Sequence, residues 1–176
     1  MKALSIRQPW VWAILHAGKR IENRKRRTHY RGTILLHASQ GMTVDDCCQA
    51  WDYIRSATDS PFSRYRDIVR LQSGIAAVQR FPRGAIVGVA ALVDCIDSQP
   101  IDTEQAQWWT GPIGWVLSDV IAFERPIPCK GVLGLWNVPP KVAVKVLSEW
   151  DSVVERSLRD PSPTLRRRTQ GEKQWE

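Results

Sequence analysis

Short β-rich runs, each closed off by glycine or proline, recur along this chain and limit what it can fold into. Ala3-Leu4-Ser5-Ile6-Arg7 alternates, with Leu4 and Ile6 on one face, as a half-buried strand does. Thr33-Ile34-Leu35-Leu36-His37-Ala38 follows Gly32, stops at Ser39-Gln40-Gly41, and reads as a buried strand. The strongest signal is Gly84 to Ile96, GAIVGVAALVDCI, whose glycines mark bends or places where other backbone comes close. Trp115-Val116-Leu117, Ile121-Ala122-Phe123 and Leu133 to Val138 complete the series before Pro139-Pro140. Such a series predicts an α+β fold on a small mixed β-barrel rather than an alternating α/β sheet.

Helical signals flank these strands. Pro9 predicts the start of a short apolar helix, Trp10 to Leu15, with Gly18 in the left-handed position just past its end. Successive helical residues advance by about 100°, so Trp10 and Trp12 point in nearly opposite directions and only one can face a given core. The other is expected to line a cleft. Thr43 before Val44-Asp45-Asp46 has the form of a helix cap, with helical spacing towards Ile54. Ser60-Pro61 opens a second piece reaching about Leu71, so residues 43–72 read as a helical insertion. The domain is expected over residues 1–140. A C-terminal helix over 141 to about 157 and a flexible basic tail carrying Arg166-Arg167-Arg168 fill residues 141–176.

The segment from Gly18 to Gly32, GKRIENRKRRTHYRG, concentrates the charge. Seven cations from Lys19 to Arg31 stand against Glu22 alone, a net +6 of the whole chain's +7. A local cluster of this kind neutralises several phosphates at once and releases their counterions, which makes RNA or single-stranded nucleic acid the expected partner. Lys19, Arg20, Arg24, Lys25, Arg26, Arg27 and Arg31 are the candidate phosphate contacts. Trp10 and Trp12, then Trp108 or Trp109, offer ring faces for stacking, although most of the nine tryptophans are expected in the core. In an extended segment Glu22, Arg24 and Arg26 share one face. A carboxylate held ionised in a cationic wall can accept from the exocyclic amine of a base or activate a water. It can equally serve as a salt-bridge partner for Arg24 or Arg20. In the hydrolytic case Glu22 is the general base and Lys19 stabilises the developing oxyanion.

Other chemistries find little support. Cys47, Cys48, Cys95 and Cys129 have neither zinc-ligand spacing nor a disulfide pattern, and the adjacent pair suits a reducing compartment. His16, His29 and His37 are too scattered to imply a metal, and His37 in an apolar strand reads as a hydrogen-bonded core residue. The N-terminus carries Lys2 and Arg7 around a short apolar stretch, unlike a signal peptide, and no run approaches the roughly 18 to 20 residues of a membrane span. There is no phosphate-cradling glycine loop and no serine elbow. A cytoplasmic protein without metal, cofactor or membrane partner is expected.

Five blocks together resemble the ASCH domain family, named for homology to a transcriptional coactivator, within the PUA-like fold group. They are Leu4-Ser5-Ile6-Arg7-Gln8-Pro9-Trp10, Gly18-Lys19-Arg20-Ile21-Glu22-Asn23-Arg24, Tyr30-Arg31-Gly32 with Leu35-Leu36-His37-Ala38-Ser39, Gly84 to Val89, and Lys130 to Trp136. The resemblance implies a PUA-like β-barrel with flanking helices and a cleft beside the first helix. It further implies binding of RNA or other nucleic acid and, in one branch, hydrolysis of an acetylated cytidine. In that branch the motif is similar to lysine, two residues, threonine, one residue, arginine. Lys19 and Arg24 match it, but Glu22 stands at the threonine position and supplies no hydroxyl nucleophile. The branch's more distant glutamate has only Asp94 and Glu104 near its place. Binding is therefore the first expectation. A small hydrolase acting on a modified pyrimidine nucleoside is the alternative, and an adaptor recruiting a protein through residues 43–72 is a third.

Overall fold

The computed structural model describes residues 1–59, 81–101 and 103–159; the expected helical piece from Ser60 to Leu71 and the basic tail lie outside them. The chain divides into two compact units, Met1–Val138 and Pro139–Glu176. In the first, β1 (Lys2–Ile6) leads into α1 (Trp10–His16), followed by β2 (Ile21–Arg24), β3 (Gly32–Ala38) and α2 (Val44–Thr58). Then come β4 (Ala85–Ile96), α3 (Thr103–Ala106), β5 (Ile113–Pro128) and β6 (Leu135–Asn137). The second unit holds α4 (Pro140–Arg159), which starts on a proline where the missing donor costs nothing.

The six strands form one sheet in the order β2-β5-β4-β3-β1-β6, curled into a half-barrel within an α+β fold. β1 lies parallel to β3, with Leu4 opposite Leu36, and the intervening α1 and β2 provide the long connection that a parallel pair needs. All other pairings are antiparallel. The β4–β5 ladder shifts register three times, between Ile86 and Gly88, Val89 and Ala91, and Leu92 and Asp94. Such irregularities bend a strand pair and raise its twist, which lets a long ladder curl instead of lying flat. They also explain a difference from the sequence reading. Trp115–Leu117 and Ile121–Phe123 are not two strands, because the backbone at Asp119 takes φ 50° and carries one strand of 16 residues through the polar break.

Local signals act as their chemistry requires. Thr43 caps α2, its hydroxyl accepting from the Asp46 backbone N–H at 3.1 Å. Gly18, at φ 74°, occupies the left-handed position after α1 and turns the chain straight into β2. The inside of the curl is filled by residues such as Leu4, Ile14, Ile34, Leu36, Leu92, Trp115 and Leu117. A second cluster joins Trp12, Ala13 and Ile21 to Trp51, Ile54 and Phe81, so α2 docks on the outer side of α1 and β2. Trp10 packs against both clusters and stands between them.

Gly88 lets α1 and β5 close on β4. A Cβ there would press into the Ile121 carbonyl and come within 2.8 Å of Leu15 Cδ2. Gly88→Ala is expected to cost about 1–3 kcal/mol of stability by overpacking, whereas Gly41→Ala, with nothing within 4 Å, should stay within about 0.5 kcal/mol. Urea unfolding of both variants checks this, and equal stabilities would remove the close approach as a constraint.

Candidate functional site

The segment after Gly18 carries three charged side chains into the protein. Lys19 is 2% exposed, and its ammonium donates to the Ile21 carbonyl and to Glu22 Oε2 at 3.0 Å. Glu22, 8% exposed, receives Arg24 Nη2 on its other oxygen at 3.1 Å. Arg24 also donates from Nη2 to the Ser5 carbonyl at 2.9 Å, and its guanidinium lies 5.7 Å from the centre of the Trp115 ring. Glu22 and Arg24 share a face of β2, as alternation predicts. Burial pushes the Lys19 amine below its ordinary pKa, a shift that the neighbouring carboxylate opposes.

The remaining cations divide in use. Arg20 is structural: Nη1 donates to the Ile14 carbonyl at 2.8 Å and to its neighbour's carbonyl at 3.0 Å, satisfying acceptors at the end of α1. Arg27 pairs with Asp97 at 2.8 Å and Arg31 with Asp94 at 3.1 Å. These two acids come from the far end of β4 and the turn after it, so the fold offsets part of the charge that the sequence concentrates. The Cys95 backbone N–H, assisted by Arg31, holds Asp94 below the usual carboxylate range. Asp94 is therefore engaged with the basic segment and not with Glu22. Lys25 and Arg26 are exposed and make no ion pair among the described residues.

The tryptophans separate sharply. Trp12 is only 9% exposed and packs 4.9 Å from Trp51, and Trp108 is 2% exposed, so neither presents a free ring. The expectation that Trp12 could stack on a base is corrected by its place in the second core cluster. Trp10 is the partly exposed member of the pair, with Tyr53 set edge-on at 5.6 Å and the Lys19 ammonium 5.9 Å from its ring centre. The apolar stripe of α2, Cys47, Ala50, Trp51, Ile54 and Ala57, is likewise buried. The described part of the insertion thus offers a mainly polar face.

Two clefts open around this array. The larger, about 890 Å³, is bordered by Glu22, Arg24, Trp10, Arg7 and the loop from Cys129 to Leu133. The smaller, about 420 Å³, is bordered by Lys19, Glu22, Trp10, Tyr53 and Gln49. Asn23 holds its rim by donating to the Trp108 carbonyl at 2.8 Å and accepting from the Thr110 N–H at 3.0 Å. Sequence reasoning did not place Arg7 or the 129–133 loop at the site; the available signal was that Arg7 and Lys130 to Leu133 lie within blocks that carry the family resemblance.

That loop rests on a polar seat inside the larger cleft. His37, 1% exposed, meets the Cys129 carbonyl through Nε2 at 3.0 Å and Ser5 Oγ through Nδ1 at 3.2 Å. Ser5 Oγ lies 2.7 Å from the Val132 carbonyl and accepts from Trp136 Nε1 at 3.1 Å. The single hydroxyl proton has two acceptors, and the shorter contact goes to the carbonyl. Gly131 covers the pair so closely that a Cβ there would strike the His37 ring. Ser5 and His37 resemble a nucleophile and its base by distance alone; their hydrogen bonds and cover make them the loop's anchor.

The sequence model of the ASCH domain family matches residues 4–127. No curated protein matches the chain. Among solved structures it is similar to the crystal structure of ASCH from Zymomonas mobilis at 12% identity, covering 84% of this chain and 93% of that one, with a TM-score of 0.46. A tyrosine-to-phenylalanine mutant of that protein is similar at 12% identity, covering 84% and 96%, also with a TM-score of 0.46. Among the described residues no helix is long and apolar enough to cross a membrane, and no three His, Cys, Asp or Glu side chains gather as a metal site would need.

Burial holds the His37 imidazole below its ordinary pKa near 6.5. On acidification the unfolded chain takes up this proton before the folded one, so stability is whole above about pH 6.5 and falls as pH drops towards the folded value. His16, lowered by burial as well, acts in the same sense. Between pH 7.5 and 5.5, wild type should lose more unfolding free energy than His37→Gln, by up to about 1.4 kcal/mol per pH unit inside that window. Identical losses in urea titrations would place the acid sensitivity elsewhere.

Proposed function

The chain belongs to the ASCH domain family, and from that premise we propose that it binds single-stranded nucleic acid, RNA foremost, by seating a base in the cleft beside Trp10. The observation that carries this reading is the Lys19–Glu22–Arg24 array, buried at Lys19 and Glu22, at the edge of a cleft large enough for a nucleotide, with a partly exposed tryptophan in its wall. Glu22 is fixed between two cations and keeps lone pairs for the amino group of a base. Arg24 borders this cleft and makes no hydrogen bond through Nη1 among the described residues, which leaves donors for a carbonyl or phosphate oxygen. Trp10 supplies the ring for stacking, worth about 1–3 kcal/mol per base. The four free cysteines accord with a reducing, cytoplasmic setting.

Phosphate contacts fall to different residues than charge density alone implies. Lys25 and Arg26 are exposed beside the cleft strand and unpaired among the described residues, whereas Arg27 and Arg31 are engaged by Asp97 and Asp94. A hydrolytic reading is second. It is favoured by Lys19, whose buried amine is pushed below its ordinary pKa while touching Glu22. Glu22 would then activate water against a modified pyrimidine nucleoside, and Lys19 would steady the oxyanion.

A salt titration of single-stranded RNA binding tests the binding reading. Lys25→Ala and Arg26→Ala should each lower the slope of log affinity against log salt by about 0.7, and Arg27→Ala should lower it less. Slopes unchanged in the first two variants would discard the phosphate path. Release of acetate from N4-acetylcytidine by wild type, lost in Glu22→Gln, would instead favour the hydrolytic reading.

A further inference from the structure

Three residues border both clefts: Arg7, Trp10 and Glu22. A cation, an aromatic ring and a carboxylate on one shared partition are the groups that recognise a phosphate, separate two bases and accept from a base amine. We infer that the site takes a dinucleotide step whose two bases are splayed apart, one in each cleft, with Trp10 between them. This rests on the nucleic-acid reading of the site and names the ligand it selects.

The geometry supports each part. Both volumes, about 890 and 420 Å³, lie within the roughly 300 to 1,000 Å³ span of small-molecule sites, so each cleft can hold its own base. Trp10 is held as a firm wall, with packing from both core clusters, the Tyr53 edge at 5.6 Å and the Lys19 ammonium 5.9 Å from its ring centre. Arg7 stands at the mouth of the partition with its side chain 69% exposed; its pairing with Asp46, itself 56% exposed, is 3.9 Å long. The phosphate joining the two nucleotides has to pass over that partition, and a guanidinium so weakly engaged is free to turn to it. Glu22 borders both spaces while paired with Lys19 and Arg24.

The test uses the full chain and a short single-stranded RNA carrying two adjacent 2-aminopurines. Their stacked pair gives an exciton couplet in circular dichroism at wavelengths where protein does not absorb. Bound to the wild type, the couplet is expected to collapse. Bound to Trp10→Leu it should persist, with affinity lower by roughly tenfold. Trp10→Phe keeps a smaller ring in the partition and should leave a partial couplet, which serves if the leucine variant fails to fold. A couplet that survives in the wild-type complex overturns the splayed step and leaves the binding reading standing. Absence of any binding to this RNA overturns both.

Discussion

The structure depends on one arginine reaching across the curl of the sheet. β2 and β1 are separated by three strands in the ladder, yet Arg24 Nη2 on the first meets the Ser5 carbonyl on the second at 2.9 Å. That contact spans the hollow of the half-barrel with a charged side chain, and burying charge is costly unless it is paired and hydrogen-bonded. Glu22 provides the pairing, and Lys19 balances Glu22 from beneath. The array continues through Ser5 to His37 and Trp136, so β1, β2, β3 and β6 share one connected polar network. Such a network fixes a unique arrangement only when its members are satisfied together. The exception is Arg24 Nε, buried without a partner among the described residues, so the guanidinium's hydrogen bonds run through Nη2.

The same array sets the electrostatics of the clefts. Lys19 and Arg24 share the single carboxylate of Glu22, which leaves the cleft floor with one net positive charge and its charged groups already engaged with each other. In the proposed binding, the counterion term would come from side chains outside the floor, where salt screens readily. That proposal divides a polar floor for a base from an outer rim for phosphate according to where the fold permits charge to be desolvated. The loop from Cys129 to Leu133, anchored on Ser5 and His37, adds an apolar lip, with Leu133 93% exposed at its tip.

Strands with strong local signals were legible from sequence: Gly32–Ala38 and Ala85–Ile96 lie where β-rich runs meet glycine punctuation. The caps at Thr43 and Gly18 were legible too, since they are chemistry between near neighbours. The continuity of β5 was not, because it rests on a left-handed residue at Asp119 that polarity alone reads as a break. At the site, alternation placed Glu22 beside Arg24, and the helical angle separated Trp10 from Trp12. What sequence could not show was the burial of Lys19, the capture of Arg27 and Arg31 by acids 70 and 63 residues away, and the convergence of Arg7 on the cleft. Each depends on the curl of the sheet, a long-range property with no local code.

If the Lys19–Glu22–Arg24 array and Trp10 form the binding surface, it will show when nitrogen-15-labelled protein is titrated with a short single-stranded RNA and its amide and indole signals are followed. The largest shifts should then fall on the Trp10 indole, on Ile21 to Arg24 and on Ser5 to Arg7. Shifts confined to the exposed Lys25–Arg26 segment, with the cleft residues unmoved, would contradict it and leave the domain a charged surface without a base-reading site.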